Sequence, residues 1–182
     1  MHFILTGTES TYKTAIATRL AADLEVDYIS EFARDYLSDK TDLIDFNDFP
    51  RSHFQAIVQG QLSKELAHHY HDSRALTRVF DTDRITLEVW NREVWNASIA
   101  ESRTIYKHNI YLLCAPTTPW VDDGMRVDGH RREALHRSYI DVLEELGATY
   151  HILDASDFNT RLQQAKDVVK KFRITRRDSA AR

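Results

Sequence analysis

An eight-residue segment near the amino terminus constrains the fold of this chain more than any other part of its sequence. It reads Gly7-Thr8-Glu9-Ser10-Thr11-Tyr12-Lys13-Thr14. The apolar run before it, residues 2–6, is typical of a buried strand, and the residues after it place Ile16, Leu20 and Leu24 at helical spacing. A strand, a tight loop ending in Lys-Thr and a helix form the context of the G-x-x-x-x-G-K-[ST] motif. The segment therefore predicts a strand–loop–helix unit.

This loop is predicted to bind the phosphates of ATP. Backbone N–H groups and a helix N-terminus face the polyphosphate in such loops. Lys13 would reach the terminal phosphates, and the Thr14 hydroxyl would ligate Mg²⁺. The predicted nucleotide-binding residues of the loop are Gly7, Thr8, Glu9, Ser10, Thr11, Tyr12, Lys13 and Thr14. Tyr12 stands where the motif has its second glycine, which permits backbone angles that a tyrosine resists. The alternative is a chance Gly…Lys-Thr at a helix start.

Length and charge exclude several classes of function. The chain has 182 residues, which fit one domain, predicted over residues 1–172 with a flexible basic tail at 173–182. Its formal net charge is −4, so the chain lacks the excess of basic residues that is typical of a nucleic-acid-binding protein. No apolar run approaches membrane-spanning length. The single cysteine, Cys114, excludes an internal disulfide and fits a reducing, cytoplasmic location.

Apolar runs alternate with helical patterns along the chain. The predicted strands cover residues 3–6, 26–29, 79–80, 110–114 and 150–153. This alternation predicts an α/β fold, a doubly wound parallel sheet of about five strands flanked by helices. Ligands of such sheets bind beyond the carboxyl ends of the strands, so the residues that follow each strand are the candidates for a site.

Two aspartates end the third predicted strand. Acidic residues at this point commonly hold Mg²⁺ beside a phosphate loop, which makes Asp81 and Asp83 candidate catalytic residues and Asp81 the candidate metal-linked one. The structural alternative is that one of them caps the next helix, with Asp83 favoured as the cap.

Glu31 follows the second predicted strand directly. A carboxylate there would face the position from which a hydroxyl acceptor attacks the transferring phosphate, and Glu31 would take the hydroxyl proton. Arg34 would orient the acceptor or its phosphate. The alternative is a capping or surface Glu–Arg pair at i, i+3.

A stretch between the fourth strand and the next helix is predicted to form a lid over residues 117–132. Lid arginines neutralise phosphate charge in many phosphoryl-transfer enzymes, and Arg126 is the first candidate, followed by Arg131 and Arg132, which alternatively begin the helix. Trp120 offers a stacking face for an aromatic base or, alternatively, a core-edge anchor. The tryptophans Trp90 and Trp95 are interpreted as packing residues.

The chain resembles a known family at four motifs. They are Gly7-x-Glu9-Ser10-x-x-Lys13-Thr14, Glu31-Phe32-Ala33-Arg34-Asp35-Tyr36, Phe80-Asp81-Thr82-Asp83 and Trp120-Val121-Asp122-Asp123-Gly124-Met125-Arg126. In order and spacing they are similar to the ribosylnicotinamide kinase domain of the NadR type, over roughly residues 3–172. The resemblance implies a P-loop kinase fold, Mg·ATP as the phosphate donor and the ribose 5′-hydroxyl of nicotinamide riboside as the acceptor. It also implies acceptor contacts from Asp122 and Asp123. Neither the adenylyltransferase domain nor the helix-turn-helix of NadR proteins is expected here.

The leading hypothesis is therefore a cytoplasmic, Mg·ATP-dependent nicotinamide riboside kinase, with no nucleic-acid or membrane partner and no prediction of oligomeric state. Trp120 would stack on the nicotinamide ring, and Arg126 would close over the phosphates. One rival is a kinase of another nucleoside or nucleotide. A second rival, favoured by Tyr12, is a sensor module that binds a nucleotide without turnover.

Overall fold

The computed structural model describes residues 1–38, 40, 49–70, 77–100, 108–121 and 129–180. Strands and helices alternate along this part of the chain. The strands are β1 His2–Gly7, β2 Asp27–Ile29, β3 Arg78–Asp81, β4 Asn109–Cys114 and β5 Thr149–Leu153. The helices are α1 Lys13–Leu24, α2 Phe32–Leu37, α3 Arg51–Tyr70, α4 Arg84–Trp95, α5 Arg132–Glu145 and α6 Phe158–Ala180. A short 3₁₀ turn, Gly129–Arg131, precedes α5.

The strands form one sheet in the order β2-β3-β1-β4-β5, and every pairing is parallel. Strand β1 lies at the centre, with Phe3 opposite Val79 of β3 and opposite Ile110 of β4. All residues of β1 and β4 are buried, as expected for central strands covered on both faces. The predicted five-stranded α/β fold is confirmed.

Helices cover both faces of the sheet. On one face, Phe3 and Leu5 of β1 pack with Ile16 and Leu20 of α1 and with Val169 of α6. The opposite face packs against α4 and α5, through a cluster made by Ile4, Phe80, Ile85, Val89, Tyr139, Val142 and Leu143. This two-sided cover makes the sheet doubly wound and brings the loops after β1, β2 and β3 to one edge.

A third apolar cluster lies beside the sheet, between α3 and α4. On α3, Phe54, Val58 and Leu62 are buried at a spacing of four residues, whereas Leu66 is 41% exposed. Helix α6 continues to Ala180, so the backbone of residues 173–180 is helical beyond the predicted boundary at residue 172. No glycine or proline interrupts that segment. Of the helices that the structure describes, none combines the length and apolar character that a membrane crossing requires.

Candidate active site

A cavity of about 480 Å³ opens at the carboxyl ends of β1, β2 and β3. One wall is the loop of residues 7–15, and Glu31, Arg34 and Thr82 contribute from the two neighbouring strand ends. The opposite end is an apolar chamber lined by Leu37, Phe49, Phe54, Ile57, Leu87 and Trp90. The cavity thus joins a polar, phosphate-loop end to an apolar end, which is the usual composition of a small-molecule site.

The loop backbone has a positive φ angle at three residues, a feature that occurs in anion-binding nests. Gly7, Ser10 and Tyr12 have φ angles of 123°, 55° and 65°. Glycine is required at position 7, because a Cβ there would lie 2.6 Å from the carbonyl oxygen of Cys114 on the neighbouring strand. Tyr12 adopts the left-handed conformation that the motif assigns to glycine, at a cost of about 1–2 kcal/mol.

The Lys13 side chain is hydrogen-bonded to the backbone of the phosphate loop. Its Nζ donates to the Thr8 carbonyl oxygen at 2.6 Å, and the Thr11 hydroxyl donates to the same oxygen at 2.7 Å. Burial lowers the pKa of Lys13, while the negative charges of the neighbouring carboxylates act to raise it. In order of effect these carboxylates are Glu31, Asp81 and Glu9. Negative phosphates would act in the same direction as those groups, so an anion in the cavity favours the charged ammonium.

Two arginines bind the other carbonyl groups of the loop from behind. Arg132 Nη2 donates to the Ser10 carbonyl oxygen at 3.3 Å, and the Thr118 hydroxyl donates to that oxygen as well. Arg161 Nη1 donates to the Thr11 carbonyl oxygen at 2.9 Å. These hydrogen bonds fix the orientation of two peptide groups of the loop.

Glu31 lines the cavity from the N-terminus of α2. It is the N-cap residue of that helix but makes no side-chain cap hydrogen bond. The first N–H of the helix, that of Phe32, instead donates to Gln61 Oε1 of α3 at 3.1 Å. Burial raises the pKa of Glu31, and Asp81 raises it further against the opposing charges of Lys13 and Arg34. Glu31 is thus a carboxylate with raised basicity, as a proton acceptor requires.

The two aspartates after β3 have different surroundings. Asp83 is buried and caps α4, since its Oδ1 accepts the Ile85 N–H at 2.9 Å and its Oδ2 accepts the Tyr111 hydroxyl at 2.7 Å. Burial, with the neighbouring Glu65 next, raises the pKa of Asp83 to about 7. Asp83 does not line the cavity, in contrast to its predicted catalytic role, because both of its oxygens are used in the cap and the core. The cap alternative describes it correctly.

Asp81 is also absent from the cavity lining, but its hydrogen bonding differs from that of Asp83. The Oδ2 of Asp81 accepts the Tyr28 hydroxyl at 3.2 Å, whereas the buried Oδ1 has no hydrogen-bond partner in the part of the chain described. The hydroxyl residue Thr14 lines the cavity. These two oxygen donors fit Mg²⁺, which takes few protein ligands and shares the rest with phosphates and water. In the described ranges, no group of three or more His, Cys, Asp or Glu side chains is arranged to hold a metal ion.

The segment after β4 departs from the sequence expectations. The Trp120 ring lies against Gly129 and beneath the Arg132 guanidinium, 5.8 Å from the ring centroid, and does not line the cavity. Arg131, which lies in the 3₁₀ turn, forms an ion pair with Glu93 of α4, and its predicted contact with the phosphates stays a prediction. Asp122, Asp123 and Arg126 lie outside the described residues, so their predicted roles stay predictions.

Several residues of the site had no recognisable signal in the sequence. The apolar chamber includes Trp90, which the sequence pattern assigns to packing, and Phe54, which belongs to the apolar cluster between α3 and α4. An apolar residue that lines a cavity has the same helical spacing as one in a closed core, so periodicity does not separate the two. Arg161 and Gln61 act through contacts with distant segments that no local pattern indicates.

These features define the class of protein: a P-loop fold of the nucleoside and nucleotide kinase type. Solved structures of such proteins share the fold. A NadR protein in complex with NR matches with a TM-score of 0.72 at 20% identity, covering 93% of this chain and 50% of that one. The deoxyadenosine kinase from M. mycoides with products dCMP and dCDP matches with a TM-score of 0.67 at 13% identity, covering 94% and 100%. YorR from Bacillus subtilis, in complex with phosphorylated GDP, matches with a TM-score of 0.54 at 12% identity, covering 97% and 98%.

The chain belongs to the AAA domain family AAA_28, whose model matches residues 2–161. No curated protein matches it significantly. The predicted resemblance to NadR is confirmed as a likeness of fold, and the chain spans about half the length of the NadR chains that it matches.

Proposed function

We propose that this chain is an ATP-dependent kinase that phosphorylates the hydroxyl of a small nucleoside, with nicotinamide riboside as the first acceptor to test. One observation carries the proposal. The loop of residues 7–14, Lys13 and the candidate base Glu31 line a single cavity that ends in an apolar chamber. A polyphosphate and an aromatic acceptor would therefore meet at the carboxylate.

Each group has a role in the proposed transfer. The loop N–H groups and Lys13 bind the phosphates and stabilise the charge on the transferring phosphoryl group. Glu31 accepts the proton of the acceptor hydroxyl, and Arg34 orients the acceptor. Mg²⁺, held by Thr14 and Asp81, would neutralise phosphate charge. Positioning and electrostatics supply most of the rate, since phosphoryl transfer needs little covalent participation by the protein.

Two solved structures support the choice of acceptors. The NadR structure contains NR, and the M. mycoides enzyme is a deoxyadenosine kinase. The apolar chamber favours an acceptor with a flat aromatic ring, because aromatic side chains stack on any base. A kinase of another nucleoside is thus the second candidate.

A panel of nucleosides with Mg·ATP tests the proposal, scored by ADP release and by the mass of the product. Phosphorylation of nicotinamide riboside is the expected result. Turnover restricted to another nucleoside supports the second candidate, and ATP binding without turnover of any acceptor favours a sensor module and contradicts a kinase. Lys13→Ala should abolish turnover, whereas Lys170→Ala, an exposed lysine of α6, serves as the control and should leave it unchanged.

A further inference from the structure

Helix α6 reaches the phosphate loop through one buried arginine. Arg161 is fully buried, and its guanidinium makes three hydrogen bonds to oxygen atoms. Nη1 donates to the Thr11 carbonyl at 2.9 Å, Nε to the Ala155 carbonyl at 2.7 Å and Nη2 to the Thr117 hydroxyl at 2.5 Å. The side chain therefore joins the phosphate loop to the segments that follow β4 and β5.

The bond to Thr11 acts on the backbone of Tyr12. The Thr11 carbonyl belongs to the peptide group that joins Thr11 to Tyr12. The rotation of this peptide group about the N–Cα bond of Tyr12 is the φ angle of Tyr12. Holding the carbonyl with a charged donor thus favours one value of φ. The value is 65°, in the left-handed region that a non-glycine residue adopts only at a cost.

The same helix also holds the Tyr12 side chain. The rings of Tyr12 and Phe158 meet edge to face, with centroids 5.8 Å apart and planes at 88°. Phe158 and Arg161 are three residues apart and lie on one face of α6. One turn of α6 therefore fixes both the ring of Tyr12 and the peptide group that precedes Tyr12.

The buried charge of Arg161 is compensated by hydrogen bonds to neutral oxygen acceptors. No ion pair of Arg161 occurs in the part of the chain that the structure describes, so carbonyl and hydroxyl oxygens supply the direct contacts. A buried charge needs such compensation to be tolerated. Its positive charge also lies directly behind a loop that binds anions, where it adds to the attraction.

We propose that Arg161 is a positioning residue of the phosphate loop, and that with Phe158 it replaces the conformational freedom that glycine would provide at position 12. This inference rests on the proposed nucleotide binding. Without the two contacts, Tyr12 would leave the left-handed conformation in part of the population, and the apparent dissociation constant for nucleotide would rise by the inverse of the competent fraction.

A double-mutant cycle on the full chain tests this coupling. The dissociation constant of Mg·AMP-PNP is measured by calorimetry for the wild type, Arg161→Lys, Tyr12→Gly and the double variant. We expect Arg161→Lys to weaken binding roughly tenfold in the tyrosine background, because a charged hydrogen bond is displaced. In the glycine background, where the left-handed angle carries no penalty, the same substitution should cost a few-fold at most.

Arg78→Lys is the matched control, since Arg78 is also buried. Arg78 begins β3, at the end of the strand away from the cavity, where it contacts Asp27 and the His68 carbonyl. Arg78→Lys should show no coupling to position 12. Phe158→Leu, in both backgrounds, replaces Arg161→Lys if that variant fails to fold, and a smaller loss in the Tyr12→Gly background is again expected. Equal losses in the two backgrounds, or no loss at all, overturn the inference. Nucleotide binding without kinase activity contradicts the proposed function alone, whereas a wild-type chain that fails to bind Mg·AMP-PNP contradicts both.

Discussion

Two carboxylates near the site show how surroundings decide the role of a residue. Glu31 and Asp83 both have raised pKa values, and burial is the largest cause in each case. Glu31 lines the cavity, whereas Asp83 accepts hydrogen bonds from Ile85 and Tyr111 inside the protein. A raised pKa marks a candidate base only where the carboxylate can reach a ligand.

Glu31→Gln should lower kcat strongly, by roughly 10²- to 10⁴-fold, because it removes the proposed general base. In the wild type, kcat should fall as pH decreases through the pKa of Glu31, and this acid limb should lie above the ordinary glutamate value, because burial raises the pKa. Steady-state kinetics across pH measure both effects. A variant with wild-type kcat and an unchanged acid limb would show that another group accepts the proton.

Asp83→Asn should change how stability depends on pH. With a pKa of about 7, the folded carboxyl retains a proton that the unfolded chain has already released, so its contribution is present at low pH and is lost as pH rises toward 7. Wild-type stability, measured by denaturant unfolding, should thus decline between pH 5 and 8 more than that of the variant. Asp157→Asn is the control, because the pKa of that α6 cap is lowered and it stays ionised over this range. If the stability of the wild type and that of Asp83→Asn depended on pH in the same way, the raised pKa of Asp83 would be contradicted.

At the scale of elements, α2 depends on α3 for its N-terminus. Gln61 supplies the acceptor that Glu31 does not, and its Nε2 donates to Glu65 Oε1 at 3.1 Å. Glu65 in turn forms a buried ion pair with Arg84 at 2.6 Å. The helices approach closely at Gly60, where a Cβ would lie 2.1 Å from the Phe32 ring. This chain of contacts keeps the Glu31 side chain out of the cap and at the cavity.

Gln61→Met should keep the shape of this residue while removing both hydrogen bonds. The loss of the cap should cost about 1 kcal/mol in unfolding free energy. It should also reduce kcat more than it changes the KM for ATP, because the candidate base is displaced and the phosphate loop is not. Denaturant unfolding and steady-state kinetics measure the two effects. Gln163→Met, whose amide donates to exposed Asp167 of the same helix, is the matched control and should be silent. An unchanged kcat in Gln61→Met would show that the hydrogen bond from Phe32 to Gln61 does not contribute to catalysis.

At the scale of the whole molecule, the cavity exists because two kinds of structure meet at one edge of the sheet. Parallel strands bring the loops after β1, β2 and β3 together, and the helices α2, α3 and α4 close the far side with apolar side chains. Trp90 of α4 belongs to that wall, while Trp120 packs on Gly129 and Arg132.

Trp90→Ala and Trp120→Ala distinguish the tryptophan that lines the cavity from the base platform predicted by sequence. We expect Trp90→Ala to raise the KM of the acceptor roughly tenfold, since a lost stacking contact is worth about 1–3 kcal/mol, with the dissociation constant for ATP unchanged. Trp120→Ala should leave the KM of the acceptor near the wild-type value. The reverse outcome would place the acceptor ring on Trp120, as the sequence analysis expected.

The sequence by itself determined the phosphate loop, the five parallel strands and the carboxylates at their ends. These depend on local signals, because a strand, a turn and an amphipathic helix each leave a pattern within a dozen residues. Glu31, Lys13 and Thr14 line one cavity as the order of motifs predicted. The use of Asp83 as a helix cap was also among the alternatives derived from the sequence.

Only the tertiary structure decided how those parts are supported. Arg161 binds Thr11 across 150 positions of sequence, and Gln61 caps a helix that begins 29 residues before it. It also decided that Trp90 lines the cavity and that Trp120 does not. Contacts of this kind depend on how helices pack on the sheet, and helical spacing records only that a side chain is buried. Tyr12 shows the difference most clearly, because the motif marks it as unusual, but only helix α6 explains how the loop accommodates it.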